Sequence, residues 1–174
     1  MDKETLTFHV VTVSDSASKG EREDISGEVV KRRIEERGYK VTGPTIVPDE
    51  VERIREIIHS LRNKVDVVIT TGGTGLTTRD VTPEATLSVI DRRVQGIEYL
   101  MICVGSQKTP RAALSRGVVG IMGKTLVINL PGSPRAVEDY LPLILEIVPH
   151  AVEKINDDPT PCGEDHSSHS TKGD

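Results

Sequence analysis

The sequence predicts a layered α/β domain whose sheet is parallel at its centre and carries an antiparallel hairpin. Three observations predict it. Apolar, β-branched runs alternate with amphipathic helical stretches, the pattern of βαβ units. One of those runs, VDVVITT at 65–71, is continuously apolar and ends in glycines, as a strand buried on both faces does. Further on, GVVGIM and TLVINL flank a Gly-Lys turn, which reads as a hairpin.

The elements follow in order. Leu6 to Val13 (LTFHVVTV) is a strand rich in β-branched residues. A polar loop, Ser14 to Asp24, comes next. Ser26 to Arg37 reads as a helix, with Ile25, Val29, Val30 and Ile34 near helical spacing and Gly38 as its stop. Lys40 to Val47 is a second strand. Val51, Ile54, Ile57, Ile58 and Leu61 then mark one face of a helix. After the central strand, Thr82-Pro83-Glu84 opens another helix: a hydroxyl N-cap, proline in the first helical position and an acid in the first turn. Ile97, Leu100, Met101 and Val104 mark the helix after that. Ser133-Pro134 opens the last one, with Val137, Leu141, Ile144, Leu145 and Val148 on its apolar face and a kink expected at Pro142. Residues 1–156 are read as one domain and 157–174, polar throughout, as a flexible tail.

Composition removes several function classes. Aromatics make up only 2% of the chain and the net charge is −5, so neither a base-stacking platform nor a basic nucleic-acid footprint is expected. No stretch is long and apolar enough to span a membrane. The two cysteines, Cys103 in an apolar helical stretch and Cys162 in the tail, suit a reducing cytoplasm better than a disulfide. Cys162, His166 and His169 in the tail lack an enclosing shell and read as solvated residues rather than metal ligands.

The chemistry-bearing residues gather at the ends of strands. Gly72-Gly73-Thr74-Gly75 follows the central strand, where ligands bind in open α/β sheets. Glycines let backbone amides converge on an anion, and Thr74 adds a hydroxyl; the same glycines also suit a turn that only ends a strand. The spelling is neither a P-loop nor a dinucleotide fingerprint. Arg79 can pair with an anionic substrate while Asp80 holds a hard cation through oxygen; Asp80 also suits a local turn. Asp49 ends the second strand on the same side. Two carboxylates there can hold one Mg²⁺ against phosphate oxygens, although Asp49 and Glu52 equally suit a capping box. Ser115 and Arg116 precede the hairpin, and Pro131, Gly132 and Ser133 follow it, so hairpin geometry brings them together as a second anion-holding cluster. Ser133 stands at a helix N-terminus, and ordinary loop and cap chemistry remains an alternative. Ser14-Asp15-Ser16 ends the first strand and gives only a weak signal.

These residues resemble the MoaB/MogA family of molybdenum-cofactor biosynthesis proteins. TTGGTGLTTRDVTPEAT at 70–86 is similar to the family signature almost throughout. VTVSDS at 11–16, the stretch Asp24 to Gly27, VPDE at 47–50 and LSRGVVGIMGKTLVINLPGSP at 114–134 are similar in order and spacing. The resemblance covers about residues 5–156. It implies a three-layer α/β/α sandwich, a homo-oligomer (trimer or hexamer), and molybdopterin and ATP as substrates with Mg²⁺ as cofactor. The implied reaction is attack of the terminal phosphate of molybdopterin on the α-phosphate of ATP. Adenylyl-molybdopterin forms and pyrophosphate leaves. By position, the resemblance implies that Asp49 and Asp80 support Mg²⁺ and transfer. It gives phosphate to Gly72, Gly73, Thr74 and Gly75, and the pterin side to Ser115, Arg116, Pro131, Gly132 and Ser133. Two other readings stand beside it: a non-catalytic molybdopterin-binding or scaffold protein of the same fold, and a regulatory nucleotide-binding domain with an unrelated ligand.

Removing residues 157–174 is expected to leave the melting temperature nearly unchanged, because an exposed polar segment carries little of the folding energy. A large fall on truncation would show that the segment packs.

Overall fold

The structure is a computed structural model and describes residues 6–157. Residues 1–5 and 158–174, with Cys162, His166 and His169, lie outside the described residues. The expected tail therefore falls almost entirely outside them.

Six strands form one sheet: β1 (Thr7–Val13), β2 (Lys40–Val47), β3 (Val67–Thr71), β4 (Arg92–Arg93), β5 (Val119–Met122) and β6 (Thr125–Leu130), in the order β2-β1-β3-β6-β5-β4. β2, β1, β3 and β6 are parallel, and β5 runs antiparallel to both its neighbours, β6 and β4. The hairpin is as expected, with Gly123 at φ +62° in its turn. The two-residue edge strand β4 is an addition that no pattern in the sequence announces.

Helices cover both faces. α2 (Ile25–Glu36), α5 (Gln95–Lys108) and α6 (Pro134–Ile155) pack on one side, and α3 (Val51–Ser60) and α4 (Thr82–Leu87) on the other. The strand pleat explains the split. Phe8 and Val10 of β1 face the first core with Val30, Ile34 and Leu141, whereas Val11 and Val13 face the second with Ile54 and Ile58. All five residues of β3 are buried, as a position covered on both faces requires. Ile54 and Ile58 lie four apart on α3 and are fully buried, each contributing about 1.5–3 kcal/mol.

The structure corrects several local expectations. The polar loop after β1 contains one helical turn, α1 (Asp15–Ser18), capped by the Ser14 hydroxyl, which accepts from the Ala17 amide at 3.2 Å. Thr82 is not the cap of α4. Val81 holds that position, and the Thr82 hydroxyl donates to the Gly72 carbonyl at 2.9 Å. A 3-10 turn, Pro110–Leu114, follows α5. α6 is one helix with Pro149 as well as Pro142 inside it, a continuity compatible with the kink expected at Pro142.

The outer strand β2 is partly exposed along most of its length. Its register against β1 shifts between His9 and Val11, and Pro44 sits opposite that shift. At the centre, the buried Asn129 side chain donates to Thr70 Oγ1 (2.9 Å) and Thr86 Oγ1 (3.0 Å) and accepts from the Val118 amide (3.1 Å). One amide thus ties β3, β6, α4 and the start of β5.

Asn129→Ala is expected to cost about 2–3 kcal/mol, because it leaves the buried Val118 amide without an acceptor. Urea denaturation measures this, and an unchanged midpoint would show that the amide finds another partner.

Candidate functional site

β2 and β3 lie on opposite sides of β1, so the connections leaving β1 and β2 diverge at the carboxyl ends of the strands. In open parallel sheets this divergence opens a crevice. Into it come the residue after β1 (Ser14, then Asp15), Pro48 and Asp49 after β2, and the glycine loop after β3.

The glycine loop is built by bonds that only this sequence permits. Gly72 has φ +100° and Gly73 φ +64°, both in the left-handed region. A Cβ on Gly72 would collide with the Val13 carbonyl oxygen, and one on Gly73 with the Thr82 hydroxyl. The Gly72 amide donates to the Leu130 carbonyl at 3.1 Å and the Arg116 amide to the Thr74 carbonyl at 2.9 Å. The Gly72 amide is therefore committed to the fold. Among the described residues, the Gly73 and Thr74 amides donate to no protein acceptor.

Arg116 holds the loop from behind rather than reaching outward. Its guanidinium donates to the carbonyls of Gly75 (2.7 Å) and Asp80 (2.5 Å) and pairs with Glu84. Arg79 is likewise engaged, donating in a fork to Asp15 at 2.8–2.9 Å. Both arginines thus already hold protein acceptors, while the Arg79 side chain, expected to pair with an anionic substrate, stays 59% exposed.

The two acids flank the loop. Asp49 does not cap α3. Glu50 holds the N-cap position with no side-chain bond, and Asp49 Oδ2 accepts from the Asp15 amide at 2.8 Å instead. Burial pushes the Asp49 carboxyl above the usual carboxylate value. The Asp15 amide pulls it down, but the charges of Asp15 and Asp80 add to the rise. Burial acts on Asp80 in the same direction. There the Thr77 hydroxyl (2.7 Å) and amide (2.9 Å), the Gly75 amide and the Arg116 charge outweigh it, and the carboxyl lies below its usual value. Asp80 thus makes a local turn, as one reading allowed, and still faces the crevice.

Two cavities meet here. The larger, about 820 Å³, is lined by Gly73, Thr74, Gly75, Ser115, Pro131, Gly132 and Ser133 together with Lys108, Arg111, Arg135 and Tyr140. The smaller, about 250 Å³, is lined by Ser14, Asp24, Ser26, Asp49, Gly72 and Asp80 among others. Gly73, Asp80 and Gly132 line both. Ser133 stands at the N-cap of α6, as expected, but its hydroxyl makes no capping bond. The hairpin does bring Ser115 to Pro131, Gly132 and Ser133.

Residues 9–150 match the family described as a probable molybdopterin binding domain. The chain belongs to the MoaB/MogA family. It is 36% identical over 159 residues to the molybdopterin adenylyltransferase of Helicobacter pylori strain J99, covering 87% of this chain and 89% of that protein. It is 40% identical over 159 residues to the molybdenum cofactor synthesis protein cinnamon of Drosophila melanogaster, covering 89% of this chain but spanning only 26% of that longer relative. A crystal structure of the molybdopterin biosynthesis enzyme MoaB from Thermus thermophilus superposes with a TM-score of 0.81 at 40% identity, covering 89% of this chain and 99% of that one.

Within this MoaB/MogA chain, sequence reasoning missed the basic lining of the larger cavity. Lys108, Arg111 and Arg135 come from α5, the 3-10 turn and α6, so no local spacing links them. Asp15 gave only a weak signal in the sequence and Asp24 entered only through the family resemblance, because each sits in a short polar stretch with many equivalents in any loop.

Gly72→Ala is expected to destabilise the fold by at least ~2 kcal/mol, since it adds left-handed strain to a steric clash. A melting temperature equal to the wild type would show that the strand end can rearrange.

Proposed function

We propose that this protein transfers AMP from Mg·ATP to the terminal phosphate of molybdopterin in molybdenum-cofactor biosynthesis. The observation that carries the reading is the pair of cavities sharing Gly73, Asp80 and Gly132 as a common wall. Two substrates seated one in each would meet at their phosphates. The name and near-full-length match of the H. pylori relative support the same chemistry.

The larger cavity suits molybdopterin. Its polar loop residues Ser115 and Ser133 and the N-terminus of the 22-residue helix α6 favour a phosphate, and Lys108, Arg111 and Arg135 add positive charge. The smaller, acidic cavity suits the nucleotide with its cation. Asp49 and Asp80 form a hard oxygen donor set. Among the described residues no group of three His, Cys, Asp or Glu is placed to cage a metal alone. That fits Mg²⁺, which takes one or two carboxylates and completes its shell with phosphate oxygens and water. Bound there, it would neutralise phosphate charge.

In the transfer, an oxygen of the molybdopterin phosphate forms a bond to the α-phosphorus of ATP. The bond from that phosphorus to the bridging oxygen breaks, and pyrophosphate leaves with the electron pair. The protein's part is positioning and charge compensation. The Gly73 and Thr74 amides, which have no protein acceptor among the described residues, would donate to phosphate oxygens, while Gly72, Gly75, Arg79 and Arg116 hold the surrounding loop in shape. We take residues 1–156 as the functional domain and place it in the cytoplasm, on the free thiol of Cys103. The exposed apolar side chains of Tyr99, Leu100 and Leu114 support a homo-oligomer, a trimer or hexamer. Among the described residues no helix is long and apolar enough to cross a membrane.

Incubation with molybdopterin, ATP and Mg²⁺ is expected to yield adenylyl-molybdopterin and pyrophosphate, read by mass spectrometry. Asp49→Asn and Asp80→Asn are each expected to lower kcat by about 10²–10³ with an unchanged circular dichroism spectrum. Binding of molybdopterin without either product would replace this reading with the binding-only one.

A further inference from the structure

We propose that Asp15 is the positioning residue that aims Asp49 at the shared site, with Arg79 as its anchor; this rests on the adenylyl-transfer reading. β1 ends at Val13, and the chain turns at once into a single helical turn capped by Ser14. That turn presents both the amide and the carboxylate of Asp15 to the residue after β2. The bonds are reciprocal. The Asp15 amide donates to Asp49 Oδ2 at 2.8 Å, and the Asp49 amide donates to Asp15 Oδ1 at 3.0 Å. Arg79 closes the assembly by donating from Nε and Nη2 to the same Asp15 carboxylate at 2.8–2.9 Å. Three chain segments that are far apart in sequence meet on one side chain.

The grip decides where Asp49 points. With Oδ2 held by Asp15, Oδ1 lies against the glycine loop, 3.1 Å from where a Gly73 Cβ would sit. The alternative for an aspartate in this place is to cap α3, whose N-cap makes no side-chain bond. The Asp15 backbone amide therefore holds the Asp49 carboxylate out of a cap and in the cavity, and the Asp15 carboxylate, bound by the Asp49 amide and by Arg79, fixes that amide in place. Arg79 offsets the charge of two neighbouring carboxylates, and its planar fork fixes orientation as a lysine would not. The side chains of Arg79 and Asp15 are 59% and 34% exposed. An ion pair so exposed contributes little to folding stability, so the effect of breaking it falls on geometry.

The test uses Asp15→Ala, Asp15→Asn and Arg79→Met in the full chain, with crystal structures, melting curves and steady-state kinetics. Asp15→Ala keeps the backbone amide but removes the carboxylate that anchors it to the Asp49 amide and Arg79; it is expected to leave the melting temperature close to wild type, to release the turn after β1 and so to let the Asp49 carboxylate swing toward the α3 N-terminus. It should lower kcat about 100-fold while KM for ATP stays within about threefold, as a small misplacement of a reacting group does. Asp15→Asn, which keeps the acceptor for the Asp49 amide, is expected to recover most of that loss, and Arg79→Met to lie between the two. Asp49 unmoved in the Asp15→Ala structure, or Asp15→Ala and Asp15→Asn equally impaired, would overturn the proposal. If Asp15→Ala does not fold, the Asp15→Asn and Arg79→Met structures decide the same point. If the wild type forms no adenylyl-molybdopterin, the activity reading fails by itself, and the orientation of Asp49 in the variants still decides the role of Asp15.

Discussion

A strand buried on both faces has to leave the sheet without stranding its last backbone groups, and the way β3 does so governs everything at the site. Its exit is made by Gly72, whose left-handed backbone sends its amide back to the Leu130 carbonyl of β6. The next two residues, Gly73 and Thr74, line the larger cavity, and their amides have no protein acceptor among the described residues. Thr82 and Arg116 then secure the loop, through the Gly72 carbonyl and the Gly75 carbonyl. The bonds that hold the loop thus leave those two amides uncommitted.

The same placement makes sense of the charge arrangement. Phosphate held together with a cation calls for carboxylates near the cation and amides near the phosphate. Here Asp49 and Asp80 stand on either side of the glycine loop, and their surroundings push their protonation in opposite directions. Asp80 is solvated by the protein's own donors, Thr77 and the Gly75 amide. Asp49 has fewer donors and a carboxylate neighbour, so it gains more than Asp80 from a positive charge brought into the cavity.

Much of this was legible in the sequence. The continuous apolar run ending in Gly72 announced the central strand, and the alternation of runs and amphipathic stretches announced the layers. The 70–86 block announced the site. What the sequence hid depends on long-range contacts. Asp49 followed by Glu52 spells a helix cap, and only the neighbouring strand shows that Asp15 claims its carboxylate. Arg79 and Arg116 read as free cations because the spacing of residues says nothing about the carbonyls and carboxylates that occupy them. The edge strand β4 is two residues long and owes its pairing to β5, not to its own propensity.

The outer strand of the sheet bears on how the protein meets other chains. A free strand edge is a template on which another chain can add itself. β2 offers a poor one: its ladder slips between His9 and Val11, and Pro44 brings no amide to the row. The opposite edge, β4, is two arginines long. Neither rim can readily recruit a stranger's strand, which leaves the helical faces as the surfaces through which copies of the chain can meet without turning the sheet into a growing fibre.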